Sequence, residues 1–477
     1  MSSIRRVFIC FCISFIAIGF VFSQQSHTLF FQHLNPQSNV VNPAIMSPCP
    51  VFFSLPLLGS IHLNANSTGF NYADLSKDKT LDLGSLVSQL HAVDFVTAEF
   101  HYTPFSFGIY LPNDDYLNIT WSEKVDVKAF YPKKLIDFAA RGNTQHLGNP
   151  LKIKSPGLNA VYYRELSVGI AREVSRDLDI GIHAKILFGQ AGVFTRRGKM
   201  VIDSNSTTYD FTADWDFGID ASFPLDITRD VDGYVSDLDV GDVKFPSAVL
   251  TFKNPGIAFD FGFVYHTGDL VFSGSILDLG LMYWSKDTRK FRQNGQFTFS
   301  GANITDGLNS SDFFSEMKDS LKNQLKVTDT NSGFLTFTTP KIYVGVVKPV
   351  NDLISLGINA RTDIYPGRPV AGLSFQAIAS PGRYTQFSLS YSLMNYSFVN
   401  VGAGITVGGD RFQFYAVSDN ILAFFTPEKA RNGNIRFGFN FFLGCSEGKS
   451  NQNGRSGSGV CNWILKEENR EKRYKKL

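Results

Sequence analysis

The stretch Leu178-Asp179-Ile180-Gly181-Ile182-His183-Ala184-Lys185-Ile186-Leu187-Phe188-Gly189 decides the fold class. Successive side chains of an extended strand point to opposite faces. Leu178, Ile180, Ile182, Ala184, Ile186 and Phe188 therefore share one side, and Asp179, Gly181, His183, Lys185, Leu187 and Gly189 share the other. Just upstream, Leu166, Val168 and Ile170 alternate with Glu165, Ser167, Gly169 and Ala171, and Ser175-Arg176-Asp177 supplies the turn between the two runs. Together they read as a long antiparallel hairpin.

The same period recurs down the chain. Ile257, Phe259, Phe261, Phe263 and Tyr265 oppose Ala258, Asp260, Gly262, Val264 and His266, and a Thr267-Gly268-Asp269 turn leads to a strand carrying Leu277, Leu279, Leu281 and Tyr283. Later runs are Ile342 to Val346, Ile354 to Ile358, Ala371 to Ala377, Thr385 to Tyr391, Val399 to Val407, Phe412 to Ala416 and Ile435 to Phe441, separated by turns such as Pro381-Gly382 and Gly409-Asp410. A soluble sandwich also alternates, but it shows Lys, Glu and Thr to water on its second face. Here the second face reads Gly402, Gly404, Thr406, Gly408 or Gln386, Ser388, Ser390, Ser392. Small, weakly polar residues suit a crowded lumen, and the continuous apolar face suits lipid. Runs of about 10–14 residues match tilted strands crossing a core of about 30 Å. The fold class expected is all-β: a transmembrane antiparallel β-barrel of about 14 strands over residues 51–444.

Composition agrees. The 477 residues include 45 Phe, 18 Tyr and 41 Gly but only 18% charged residues. Lys+Arg is 45 against 43 Asp+Glu, a net charge of +2, which disfavours nucleic acid as a partner. Residues 1–23 read as a signal peptide: Arg5 and Arg6 precede the apolar stretch Val7 to Phe22, with cleavage expected between Ser23 and Gln24. Residues 24–50, with Asn42-Pro43-Ala44 and Pro48-Cys49-Pro50, lack alternation and read as an N-terminal hatch or a lead-in to the first strand. Residues 445–477 carry eight Lys/Arg and four Glu and read as a basic, solvated tail. Of the mature cysteines, Cys49, Cys445 and Cys461, the last two are close enough in sequence to pair, or all three stay free. Two short loop helices are expected, over Tyr131 to Asn143 with Pro132 at the first helical position, and over Ser311 to Leu325.

Chemical motifs are scarce. HExxH, GxxxxGK[ST], GxSxG and CxxC are missing. Ser315 and Lys318 form an SxxK and Ser418-Asp419-Asn420 an SDN, but no KTG follows. No catalytic residue, cofactor or metal is expected, and the chain does not read as an enzyme; a barrel hydrolase would need a nucleophile, a base and an acid assembled at one rim. The candidates for lining an interior path are Asp179, His183, Lys185, Gln386 and Asn400.

Several stretches carry a resemblance: Asn42-Pro43-Ala44, Ile180 to Lys185, Asn254 to Gly262, Ser275 to Gly280, Phe412 to Asn420 and Arg436 to Asn440. Taken in order, they resemble an uncharacterised family of Bacteroidota outer-membrane barrels with no assigned activity. More remotely the chain is similar to PorP/SprF-like barrels and to FadL-like barrels with an N-terminal hatch. The resemblance implies an outer-membrane location with lipid as the surrounding partner. It also implies either a channel or transporter for small, hydrophobic solutes, or a plugged barrel serving as structural partner in an envelope or secretion complex through its loops or basic tail. A closed barrel in detergent is expected to migrate faster on a denaturing gel before boiling than after; identical migration, with the protein in the soluble periplasmic fraction, would contradict the fold class.

Overall fold

The computed structural model describes residues 26–71, 73, 87–154, 156–208, 210–240, 251–299, 327–365, 368–382, 384–394 and 397–445. The leader read over residues 1–23, with Ser23 and Gln24, the helix read over Ser311 to Leu325 with its SxxK, and the tail after Cys445 lie outside these residues.

The wall is a closed antiparallel barrel of 14 strands. Two short segments, Val51–Ser54 and Ser60–Ser67, share the first position. They are followed by Val93–Tyr110, Tyr116–Pro132, Gly157–Glu173, Leu178–Ser204, Pro255–Thr267, Leu270–Trp284, Lys341–Pro349, Ile354–Tyr365, Arg368–Gly382, Thr385–Met394, Ser397–Gly408, Phe412–Ser418 and Asn432–Leu443. Neighbours in this order are paired, and the last strand returns to the first through Phe52↔Phe442 and Ile61↔Phe437, so the wall has no edge. Closure matters because a backbone amide or carbonyl left unpaired in hydrocarbon costs several kcal/mol (about 2–7).

The side chains are arranged inside out relative to a soluble protein. Along Leu178–Gly189 the residues Ile180, Ile182 and Ile186 are exposed, while Asp179, His183 and Lys185 are buried. Along Pro255–Thr267 the exposed set is Ile257, Phe259, Phe261, Phe263 and Tyr265, and Asp260 is fully buried. Leu389 is 57% exposed and its neighbour Ser390 2% exposed. Two stacked sheets would bury the apolar set against each other. Here that set forms an outward belt, which places the barrel in lipid.

The alternation breaks phase once in a way that matters. In Leu270–Trp284 the register against Pro255–Thr267 slips between Phe259 and Phe261, and Leu277 with Asp278 together oppose Asp260. This bulge turns Leu277 and Asp278 both inward and leaves Leu279, Leu281 and Tyr283 outward, so Leu277 does not belong to the apolar outer face. Asp278 takes φ 56°, a left-handed conformation that Asp tolerates better than most residues.

The two ends of the barrel differ. One has short turns at 111–115, 174–177, 268–269, 350–353 and 409–411; the other carries the long connections. Short turns mark the periplasmic end of such barrels. There Arg172 donates to Asp115 and holds its carboxyl below the usual carboxylate range. Leu178–Ser204 is 27 residues long, about 90 Å when extended, far more than a membrane needs. Its first half pairs in the wall with Pro255–Thr267. Its distal half pairs instead with Phe211–Ser222, which pairs with Thr288–Phe299, so the same sheet continues beyond the wall on the long-loop side.

Two expectations need correction. Cys445 bonds to Cys49, with a Cα–Cα distance of 5.2 Å, and not to Cys461. The seam explains this: Val51 opposes Leu443, so two residues further on Cys49 and Cys445 face one another. The first loop helix runs Lys133–Arg141, and Pro132 ends the preceding strand and acts as N-cap, not as first helical residue.

Leu389→Arg, near the middle of its strand on the lipid side, is expected to destabilise the barrel by about 2–4 kcal/mol. Ser390→Ala, one residue away and facing inward, is expected to cost about 1 kcal/mol. Denaturant unfolding in lipid vesicles measures both, and equal costs would contradict the assignment of faces.

Candidate functional site

The barrel interior is occupied. Residues 26–49 are nearly all buried, though they form only two short 3-10 turns, Thr28–Phe31 and Pro36–Val40. A segment with so little secondary structure must satisfy its backbone and side chains elsewhere, and it does so on inward-facing wall residues. The Thr28 amide donates to Asp419 at 2.7 Å, and Thr28 Oγ1 lies 2.8 Å from Ser390 Oγ. Asn359 and Gln376 both donate to the His27 carbonyl. Gln32 donates to Ser388 and accepts from Thr406, Gln37 and Asn440 exchange two amide bonds, and Gln413 donates to the Leu34 carbonyl. Asn42 donates to the Phe263 carbonyl, and Ser275 donates to the Val41 carbonyl.

An apolar centre completes the fit. Phe30 stacks on Tyr343 with ring centroids 5.3 Å apart, and Leu29, Phe30, Phe31 and Val41 pack with Leu277, Val347, Tyr415 and Val417. Glycines make room for it: a Cβ on Gly345 would lie 2.7 Å from both Phe30 and Phe31, and one on Gly181 would collide with the Pro43 carbonyl. At the periplasmic end the segment finishes in a cluster of Met46, Cys49, Phe52, Tyr116, Tyr384, Phe442 and Cys445 around the disulfide.

Beside this segment lies a charged node. Lys185 Nζ is 2.7 Å from Asp260 and 2.6 Å from Asp278, with Glu165 at 3.8 Å. Lys341 pairs with Asp278 at 2.5 Å, and Lys124 pairs with Glu165 at 2.7 Å. Three lysines thus meet three carboxylates, and the charges balance. His183 joins the node to the N-terminal segment: Nδ1 lies 2.9 Å from Asp260, and Nε2 lies 2.8 Å from Asn39 Oδ1. Asn118 also donates to Asn39. The node lines a cavity of about 80 Å³ between the segment and the wall, bordered also by Ser167, Arg361 and Arg436. That is room for a few water molecules.

All five candidate lining residues are buried on inward positions, but only His183 and Lys185 meet at the node. Asp179 lies near the periplasmic turns, 3.7 Å from His266. Gln386 donates to Ser380 at 3.3 Å close to the same end. Asn400 lies toward the other rim, donating to the Ser392 carbonyl and accepting from Asn432. Sequence reasoning missed Asp278, Glu165, Lys124 and Lys341 as partners. Asp260 and Glu165 were legible as members of the polar face. Asp278 too falls on the inner face by alternation with Leu279 and Leu281; what the bulge concealed was that Leu277 joins it there. Ser418-Asp419-Asn420 closes hydrogen bonds to the N-terminal segment and to Asn432 and Asn434, with no base aligned on Ser418 among the described residues.

Lys185→Met is expected to destabilise the barrel by about 3–5 kcal/mol, because it leaves Asp260 and Asp278 buried side by side without their shared cation. Adding Asp278→Asn should recover part of that loss. Unfolding midpoints of the single and double variants in detergent measure the coupling, and a silent Lys185→Met would show that the node is hydrated and loosely held.

Curated proteins give no match. Among solved structures, similarity extends to a FadL homologue of Pseudomonas aeruginosa, with 8% identity, 90% of this chain and 100% of that chain covered, and a TM-score of 0.40. The toluene transporter TbuX of Ralstonia pickettii gives 8% identity, 89% and 94% coverage and a TM-score of 0.37. The P. putida toluene transporter TodX gives 7%, 85% and 93%, and 0.36. At the level of sequence families, a family of unknown function, DUF5723, matches residues 43–419, from the end of the enclosed segment through thirteen of the 14 wall strands, and the chain belongs to that family.

Proposed function

We propose that the protein is an outer-membrane transport barrel in its closed state, with residues 26–48 as a displaceable gate and small polar solutes as cargo. The observation that carries this reading is the chain of contacts from Asn39 through His183 to Asp260 and Lys185. Burying ion pairs is costly and seldom adds net stability. A barrel with a purely mechanical task could fill its lumen with small and apolar side chains. Here charge is retained at mid-lumen, next to a cavity, and is tied directly to the segment that blocks the bore.

The way the segment is held fits a gate. Many of its contacts are amide and hydroxyl bonds, each with a net worth of only about 0.5–1.5 kcal/mol because water can replace the partner. Phe30 and Phe31 supply the apolar term that keeps the resting state closed, about 1.5–3 kcal/mol each. The bond at Cys49 tethers the segment at its far end, so it could swing out and return. The polar wall favours polar solutes over the hydrophobic ones that the sequence resemblance implies.

A second reading has its own support. The lumen is filled, the apolar packing is extensive, and the sheet beyond the wall offers a platform on the long-loop side. In that reading the segment never leaves, and the barrel is a structural partner in an envelope complex.

Single-channel recording in planar bilayers separates the two. Wild type should open rarely. Phe30→Ala with Phe31→Ala should raise open probability about tenfold or more. Thr28→Cys with Ser390→Cys, whose hydroxyls are 2.8 Å apart in the wild type, should lock the bore closed until reductant is added. If the loosened variant is as silent as the locked one while both migrate as folded barrels, the transport reading fails and the fixed-plug reading stands.

A further inference from the structure

A second group of side chains on the inner wall is not needed to hold the N-terminal segment. His62, Glu99, His101 and Asp126 come from three adjacent strands, Ser60–Ser67, Val93–Tyr110 and Tyr116–Pro132. The register brings them together: His62 opposes His101, and Glu99 opposes Asp126. All four point inward, because Ile61, Leu63 and Phe100 take the outward positions between them. The donor atoms of Glu99, His101 and Asp126 lie within 4.8 Å of one another. His101 Nε2 is 2.7 Å from Asp126 Oδ1, and His62 Nε2 is 3.6 Å from Glu99 Oε2. The His62 and His101 rings are 5.3 Å apart.

Two atoms at this place lack the partners that burial normally demands. His62 is only 3% exposed, its Nδ1 has no hydrogen-bond partner, and its Nε2 stands beyond hydrogen-bond reach of Glu99. Asn64 Oδ1, next along the same face, is also buried without a partner. A buried polar atom left unpaired costs about 1–3 kcal/mol, and a group of them around one point calls for a ligand.

We propose that His62, Glu99, His101 and Asp126 form a site for a divalent transition-metal ion of the Zn²⁺ type, open to the barrel interior. Ligand chemistry selects the class: two imidazoles with two carboxylates suit Zn²⁺ and its first-row neighbours, whereas Ca²⁺ and Mg²⁺ take oxygen donors. Metal–ligand bonds of about 2.0–2.2 Å put tetrahedral donors roughly 3.4 Å apart. The spacings among Glu99, His101 and Asp126 fit that value after small side-chain rotations, and His62, already 3.6 Å from Glu99, completes the set by swinging toward them. Glu99 and His101 also line the cavity beside the charged node, which places the site on the barrel interior. The proposal does not rest on the gate: its ligands belong to the wall, and it stands whether or not the N-terminal segment moves.

The test uses the full-length barrel in detergent, purified without a polyhistidine tag and stripped with chelator. Co²⁺ is the probe, read by its visible ligand-field bands, with Zn²⁺ as competitor and metal content measured by mass spectrometry. One Co²⁺ per barrel is expected, displaced by stoichiometric Zn²⁺ and not by excess Ca²⁺. His101→Ala and Glu99→Gln should weaken binding by about 100-fold or more, compared with about 10–100-fold for loss of an outer-shell partner. His146→Ala, outside the wall strands, should leave it unchanged. Heat-dependent gel migration confirms that each variant is folded. X-ray absorption on the metal-loaded wild type provides a check that needs no variant, since imidazole scattering should report two histidines. No Co²⁺ bound, binding indifferent to His101→Ala, or a bound ion without imidazole each overturns the site.

Discussion

The hydrocarbon around the wall admits no unpaired backbone, and from this the rest of the structure follows. The sheet must close, so the first and last strands must meet. Once it closes, one side-chain face belongs to lipid and the other to a narrow interior. Ile180, Phe261 and Leu389 on one face and Asp179, Asp260 and Ser390 on the other are two consequences of that single condition. The interior then inherits the opposite problem, because its polar atoms need partners within a space too small for bulk water. Residues 26–49 answer much of that demand, and the salt-bridged node answers more. The enclosed segment and the charged node are therefore two parts of one solution to interior satisfaction.

How much of this was legible in the sequence depends on the range of the interaction. The two faces of Leu178–Gly189 and Pro255–Thr267 were legible, because period two is written locally. The length of Leu178–Ser204 was not. After Gly189 the strand leaves the lipid, the apolar stripe ends with it, and nothing in Thr195-Arg196-Arg197-Gly198 announces that pairing continues in water. Leu277 was misplaced on the apolar face because a bulge depends on the partner strand. Cys49 and Cys445 are 396 residues apart and become neighbours only through the seam. Asn42-Pro43-Ala44 was noticed without its reason: Asn42 reaches the Phe263 carbonyl, and Pro43 lies against Gly181 and Gly262. The inner glycines were read as generic lumen lining, but several are fitted to particular atoms of the enclosed segment.

The two interior features differ in what they ask of the chain. The node at Lys185 is complete, with each charge matched by another. The group at His62 and His101 is incomplete, with imidazole and amide atoms left over. Closed charge networks hold a conformation, whereas open donor sets receive something. Both sit on the same cavity, so occupancy of one would be felt electrostatically at the other across a medium far less screening than bulk solvent.

The bond between Cys49 and Cys445 changes the topology of the molecule. It joins the entrance of the first wall strand to the exit of the last, so residues 49–445 form a covalent circle laid over a hydrogen-bonded one. A single peptide cleavage in any surface loop of that circle would leave one connected molecule, with the cut ends held by the staves on either side. A nick in such a loop would be an injury without a severance.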